Sequence, residues 1–294
     1  MKLLIAVDSA ISTEVLVDAV GRRPWPEGTT AHVLSVVADM DVSPEVWREH
    51  GYEKRAVLRE MEKRGDEITA VAVERLQEVG IPAEVVVTRG DARHLIPFFA
   101  RKWSSDLIFV RAHVRKDLFH WMLGSVARAV VTDAPCTVQI VRDVAEDRKH
   151  TVDSGRRVLL ATDGSETSVA AAHAVAARPW PEGSEFRIVS VEEPWAIKSS
   201  RMDPQQAITS AEQVLTAAGL KVDGAVLSGK AKDMILEEAR NWNADLVVVG
   251  SHGRRGFQRL LLGSVSDAVA MNAHCSVVVV RSPGRASRRA RRSA

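Results

Sequence analysis

Two hydrophobic patterns alternate along this chain. Short runs in which nearly every residue is apolar, many of them β-branched, occur as KLLIAV (2–7), AHVLSVV (31–37), AEVVVTRG (83–90), DLIFVR (106–111) and TVQIVR (137–142). Such runs predict strands buried on both faces. Between them, TEVLVDAVGRR (13–23), EITAVAVERLQEVG (67–80) and DARHLIPFFARKW (91–103) place apolar residues three and four apart, the period of an amphipathic helix. Proline stops the first and Gly80 the second. EVWREHGYEKRAVLREMEKRGDE (45–67) predicts a long charged helical extension whose default role is a solvated face. The pattern then recurs as strands RVLLAT (157–162), FRIVSVE (186–192), DGAVLSG (223–229), DLVVVG (245–250) and SVVVVR (276–281), with helices at 167–180, 206–219 and 231–242. Strands alternating with helices predict an α/β fold, a doubly wound parallel sheet with helices on both faces. Such sheets bind ligands beyond the carboxyl ends of their strands, where the strand order reverses.

The recurrence is a duplication. Residues 6–28 match 161–183 at an offset of 155, sharing the hexapeptide RPWPEG, and 79–90 match 218–229 at an offset of 139. The second offset holds through Trp103/Trp242, Asp106/Asp245, Gly124/Gly263 and Cys136/Cys275. The difference of 16 residues falls in the longer segment of the first copy, around 40–70. A unit of this length is a domain rather than a solenoid repeat. The expected organisation is a first domain at 1–142, a polar linker at 143–155, a second domain at 156–282 and a disordered basic tail at 283–294.

Composition narrows the partners. The 294 residues, 46% of them hydrophobic, supply real cores. No apolar run approaches the roughly 20 residues of a membrane span. Two cysteines give no disulfide framework, so a cytoplasmic location is expected; each is read as a small buried hydrophobe. The formal charge of +2 includes five arginines in the last ten residues, leaving −3 on the rest. No basic face is implied, and a specific nucleic-acid partner is not expected. The histidines are scattered and match no metal or catalytic motif, with His252, and more weakly His113, in loop context. The tryptophans of RPWPEG are read as helix stops that cover the sheet edge.

The candidate chemistry lies after the fourth strand of the second copy. Gly250-x2-Gly253-x9-Gly263-Ser264 runs from a strand end, through a glycine loop, to a helix start. Glycine lets backbone N–H groups approach an anion, and a helix N-terminus favours phosphate. Ser264 and Ser266 sit at that helix start, and Arg254 and Arg255 add charge. The pattern is neither G-x-G-x-x-G nor a P-loop, and SGKAKD (228–233) lacks the rest of the latter. The alternative is that these glycines only shape a tight connection.

At these residues the chain resembles a tandem universal stress protein. ATP-binding members of that family carry G-2x-G-9x-G-(S/T), which the second copy reproduces, and an Asp after the first strand, here Asp163. The resemblance implies a five-stranded parallel sheet of order 3-2-1-4-5 in each half. It places Ala161, Thr162 and Asp163 at the adenosine and Val191 beside the adenine. It places Val249, Gly250, His252, Gly253, Arg254, Gly263, Ser264, Val265 and Ser266 along the ribose and phosphates. The implied cofactor is ATP, or a related adenine nucleotide, with Mg2+ as a candidate companion; no metal site in the protein itself and no catalytic residue is expected. The first copy keeps Asp8 and Gly124-Ser125 but has Arg111, Val114 and Asp117 where the second has Gly250, Gly253 and Gly256. A β-branched residue is disfavoured where φ is positive, so this copy is read as a non-binding scaffold. Family dimers pair through the fifth strand, which implies that 137–142 and 276–281 pair inside one chain, with further homodimerisation left open. Three functions remain: a stress-response regulator binding ATP in its second domain, a slow ATPase or nucleotidyl transferase, and a nucleotide-free scaffold.

Overall fold

The strand sequences are too apolar to face water on either side, and the architecture of the computed structural model answers that demand. It describes residues 1–21, 23–39, 54–112, 123–142, 155–194, 202–253 and 262–281. The expected linker (apart from Gly155), the basic tail, Trp47, His113, Val114, Asp117, Arg254, Arg255 and Gly256 lie outside the described residues. In the first half the elements are β1 (Lys2–Val7), α1 (Ala10–Gly21), β2 (Thr30–Val37), α2 (Lys54–Glu78), β3 (Ala83–Arg89), α3 (Ala92–Lys102), β4 (Leu107–Arg111), α4 (Ser125–Asp133) and β5 (Thr137–Val141). The second half repeats them as β6 (Arg157–Ala161), α5 (Glu166–Ala176), β7 (Glu185–Glu192), α6 (Pro204–Ala217), β8 (Val222–Ser228), α7 (Ala231–Asn241), β9 (Leu246–Gly250), α8 (Ser264–Asn272) and β10 (Ser276–Val280).

The strands form one ten-stranded sheet of order β3-β2-β1-β4-β5-β10-β9-β6-β7-β8. Each half is parallel with the expected internal order 3-2-1-4-5. β5 and β10 meet antiparallel, with Val278 opposite Gln139. Strand residues alternate between the two faces, so Leu4 belongs to one core while Leu3 and Ile5 belong to another. One face carries a core continuous across both halves, built on α3, α4, α7 and α8. The opposite face carries two separate cores, one under α1 and α2 and one under α5 and α6.

The junction of the halves is tied by pseudo-equivalent arginines. Arg142, only 2% exposed, donates to the carbonyls of Ala270, in the last turn of α8, and Cys275, just before β10. Arg281, at the equivalent position, donates to the carbonyls of Val131 and Thr132 at the end of α4. Both satisfy helix C-terminal acceptors with a cation, which also suits the helix dipole. Arg128 Nη2 and Asp267 Oδ2 add an exposed ion pair across the junction at 3.3 Å.

Two local expectations are revised. The helical extension at 45–67 and the helix at 67–80 are, from Lys54 onwards, one helix, α2. Gly65 does not break it, because the glycine is where the helix comes closest to the sheet: a Cβ there would lie 2.9 Å from Val87 Cγ1. The charged face is solvated, but Leu58, Thr69, Ala72 and Leu76 are buried. The tryptophans of RPWPEG do stop their helices, with Nε1 of Trp25 and Trp180 donating to the carbonyls of Val20 and Val175 at 2.9 Å. They pack edge-on against Phe109 and Phe186, so Trp25 covers β4 in the interior of the sheet, not an edge. Cys275 is buried and Cys136 half-buried.

Candidate functional site

The chain order reverses between β6 and β9, and the segments leaving their carboxyl ends converge there. After β6, Thr162 is buried, and its N–H donates to the carbonyl of Val189 at 2.9 Å. Asp163 follows, exposed, with Oδ1 accepting the N–H of Ser165 at 3.0 Å. Gly164 has φ +71°, which fixes the tight turn into α5. Ser165 caps α5, its Oγ accepting the N–H of Ser168.

The loop after β9 is drawn down onto that helix start. Ser251 is buried, donates its N–H to Val280 O and accepts from Gly263 N, both at 2.8 Å. The carbonyl of His252 accepts from the hydroxyls of Thr167 and Ser165. Ser165, Thr167 and Ser251 were not singled out from the sequence. The signal for Ser165 and Thr167 is the run of hydroxyl residues in DGSETS (163–168), the composition of a helix cap; Ser251 has no such signal.

The glycines prove to be needed for close approach and not for unusual backbone. None of Gly250, Gly253 and Gly263 lies in the left-handed region. A Cβ on Gly250 would sit 2.6 Å from Thr167 Oγ1 and 2.7 Å from Ser168 N, inside the first turn of α5. A Cβ on Gly253 would sit 2.9 Å from Asp163 Oδ2. A Cβ on Gly263 would meet the Ser251 carbonyl at 3.3 Å. The argument from positive φ against valine in the first copy therefore does not carry over. What remains is steric, and Arg111, half-buried at the end of β4, occupies the place of Gly250.

Gly263 also starts α8 without a side chain to cap it. The first N–H groups of a helix lack intrahelical partners, so Ser264, Val265 and Ser266 present amides, with Ser264 exposed. The Ser266 side chain is committed elsewhere: it is buried, and its hydroxyl donates to the carbonyl of Gly250. Val249 is core, 3% exposed, and brings only backbone to the site. Ala161 is buried and Val191 half-buried, both packed in the core shared by the halves. His252 places Nδ1 3.0 Å from Ser251 Oγ, while its Nε2 is buried and unpartnered. Burial, and then the charge of Arg281, hold its pKa below the usual histidine value, so the ring is neutral at pH 7.

The structure thus brings Asp163, Gly250, His252, Gly253, Gly263 and the α8 start to one spot, with Val191 two residues beyond Val189, the β7 partner of Ala161. An exposed carboxylate opposite a set of helix-start amides, with bare glycine backbone between, can hold a hydroxyl-bearing group at one end and an anion at the other. Among the described residues, no group of three or more His, Cys, Asp or Glu could hold a metal ion, and no helix is long and apolar enough to cross a membrane.

Comparison with known proteins agrees with this architecture. The model of the universal stress protein family matches residues 1–142 and again 155–281. A universal stress protein of Mycolicibacterium smegmatis is 29% identical over 95% of this chain and 96% of its own length. One from Methanocaldococcus jannaschii is 32% identical over 44% of this chain and 83% of its own. The crystal structure of a universal stress protein from Archaeoglobus fulgidus shares the fold, with a TM-score of 0.71 and 23% identity over 96% of this chain and 98% of that one. With the family model matching once in each half, the chain belongs to the universal stress protein family, as a tandem of two such domains.

Proposed function

We propose that the second half binds ATP and that the chain is a stress-response regulator, the first half serving as scaffold and intramolecular partner. The observation that carries this reading is the uncapped start of α8 at Gly263, set against a strand end and loop whose glycines leave backbone exposed. In this reading the phosphates take the amides of Ser264, Val265, Ser266 and Gly253, where free N–H groups and the helix dipole favour anions. Asp163 accepts hydrogen bonds from the ribose hydroxyls. Val191, with the backbone of Ala161 and Thr162, lines the adenine. The backbone of Val249 and Gly250 supports the phosphate loop, and neutral His252 offers its unpartnered Nε2. Arg254, outside the described residues, is assigned to the phosphates on its sequence position. Mg2+ would enter only as the companion of a bound triphosphate, since among the described residues no cluster of His, Cys, Asp or Glu would hold it.

Binding, not turnover, is the proposed activity. Phosphoryl transfer needs a group that positions the nucleophile and ligands for the metal, and in this reading Asp163 is taken up by the sugar. In the first half Arg111 fills the place of Gly250, so one nucleotide per chain is proposed. Calorimetry of the full chain with ATP tests this directly. The expected stoichiometry is near one, and Gly253→Val, which drives two methyl groups toward Asp163, lowers affinity at least about tenfold, or roughly 1.4 kcal/mol. A stoichiometry of two sinks the asymmetry. A variant that binds like wild type sinks the site, and a wild type without affinity for ATP leaves the chain a protein scaffold.

A further inference from the structure

The repeated RPWPEG has a residue that helix stopping does not explain. Its tryptophans cap α1 and α5, the carbonyls of Pro26 and Pro181 accept from Thr29 and Ser184, and Gly28 and Gly183 have φ of +73° and +76°. The leading arginines, Arg23 and Arg178, do none of this. Both reach the junction of the halves, on the face where the two cores are separate. Between them lies a cleft of about 260 Å³, lined also by Arg156, Gln139, Trp180 and residues of α1.

Among the described residues, Arg23 is only partly compensated. Arg23 donates Nη2 to Gln139 Oε1 at 2.9 Å, while its Nη1 is buried without a partner. Its guanidinium carbon lies 5.3 Å from the centroid of Trp25 and 5.6 Å from that of Phe109, so it is fixed by stacking. Three carboxylates also line the cleft: Glu14, Asp18 and Asp245. Asp18 lies 3.8 Å from Arg75 of α2, Asp245 Oδ2 accepts the N–H of Arg157 at 2.9 Å, and Glu14 is exposed. Arg142 reaches the lining too, but its guanidinium is committed to the end of α8. Burial, and then the charges of Arg178 and Arg156, push Arg23 down to about 9, and burial pushes Arg178 down to about 10. Like charges brought together and partly desolvated cost stability unless an anion sits between them.

We propose that this cleft is a second ligand site, one that takes a small phosphate-bearing anion between Arg23 of the first half and Arg178 of the second. The unpartnered Arg23 Nη1 supplies one donor and the Arg178 guanidinium, on the same cleft, supplies others, a donor chemistry suited to phosphate oxygens. The volume sets the size: it falls below the roughly 300–1,000 Å³ of sites for drug-sized ligands. That points to an anion of the size of inorganic phosphate, pyrophosphate or a small phosphomonoester, and excludes a whole nucleoside triphosphate. For the second half the cleft lies at the amino ends of β6, β9 and β10, where Arg156, Asp245, Leu246 and Ser276 line it. The nucleotide site lies at the opposite, carboxyl edge. Because the ligand bridges residues of both halves, its binding strengthens their junction.

The test uses the full-length chain carrying Gly253→Val, which disables the proposed nucleotide site so that pyrophosphate has one place to go. Pyrophosphate and inorganic phosphate are titrated by calorimetry and by thermal unfolding, against sodium chloride at matched ionic strength. The expected result is saturable binding of one anion per chain, with a rise in melting temperature that chloride does not give. Arg178→Gln and Arg23→Gln each lower pyrophosphate affinity at least tenfold, Arg178→Lys lowers it less, and circular dichroism reports an intact fold. In the otherwise wild-type chain, Arg178→Gln leaves ATP affinity unchanged, which separates this proposal from that of the nucleotide site. Absence of saturable binding at millimolar pyrophosphate overturns the proposal. So does binding that survives both arginine substitutions.

Discussion

Gly250→Ala isolates what the first glycine of the loop does. One added methyl group would meet Thr167 Oγ1 at 2.6 Å, and Ser168 N and Thr167 C at 2.7 Å. Two of these atoms are backbone, in the first turn of α5, and cannot turn aside as a side-chain end can. To restore a contact of about 3.4 Å that turn must retreat by about 0.7 Å. The retreat pulls the hydroxyls of Ser165 and Thr167 from the carbonyl of His252. Overpacking of this kind costs about 1–3 kcal/mol, a fall in melting temperature of roughly 2–5 °C for a chain of this size. Gly253→Ala is the control. Its methyl group meets Asp163 Oδ2, at 2.9 Å, the end of an exposed side chain that can give by a few tenths of an ångström while Oδ1 keeps the N–H of Ser165. Its φ is not left-handed, so stability is expected within about 0.5 kcal/mol of wild type, while ATP affinity falls. Urea unfolding followed by circular dichroism, with ATP calorimetry on the same preparations, reads both effects. Equal stability of the two variants would falsify the close-packing account of Gly250. In the first half Arg111 occupies this position, so α1 accommodates a Cβ where α5 does not.

Further expectations concern the junction, the histidines and the cysteines. Arg142→Ala strands the carbonyls of Ala270 and Cys275 in a buried site and should cost about 2–4 kcal/mol in urea unfolding; the half-buried Arg281 should cost less, and a neutral result for Arg142 would remove the clasp. Burial holds both His32 and His252 below the usual histidine value, so each is neutral in the folded chain and binds protons more readily when unfolded. Stability is therefore full above the unfolded value of about 6.5 and is lost as pH falls through it; denaturation midpoints at several pH values should show this slope, and the double substitution His32→Gln, His252→Asn should flatten it. Burial, and then Asp106, push the Cys136 thiol up to about 12, so native protein should resist a thiol reagent at pH 8 and react once unfolded; rapid labelling of the native chain would contradict this.

Local periodicity determined a great deal here. The strands and most helices follow from runs of Val, Ile and Leu and from apolar spacings of three and four, because those patterns bury on two faces or on one. The duplication made each half's α/β class legible twice, and the strand order 3-2-1-4-5 came through family resemblance, since periodicity carries no order. The boundary of α2 differs because the charged stretch at 45–67 and the apolar-spaced stretch at 67–80 read as two patterns in sequence, whereas from Lys54 one helix runs through both, with Gly65 set against Val87. Of the candidate site, the order Asp163, Gly250, Gly253, Gly263 was visible, and the convergence of those residues at one strand edge needed the fold.

Tertiary structure decided the reasons. In sequence, glycine at 250 and 253 points to backbone approaching an anion, but the neighbours that exclude a Cβ are Thr167, Ser168 and Asp163, more than 80 positions earlier in the chain. Ser266 looked like a phosphate ligand at a helix start, yet its hydroxyl is bonded to Gly250. Val249 looked like part of a binding loop and is core. Arg23 and Arg178 begin identical hexapeptides, and nothing local distinguishes them from solvated surface arginines. They line one cleft because β5 and β10 join antiparallel, which turns one half against the other about the junction. Sequence periodicity reports which face of an element is buried; which distant side chains then share a cleft depends on how the elements pack.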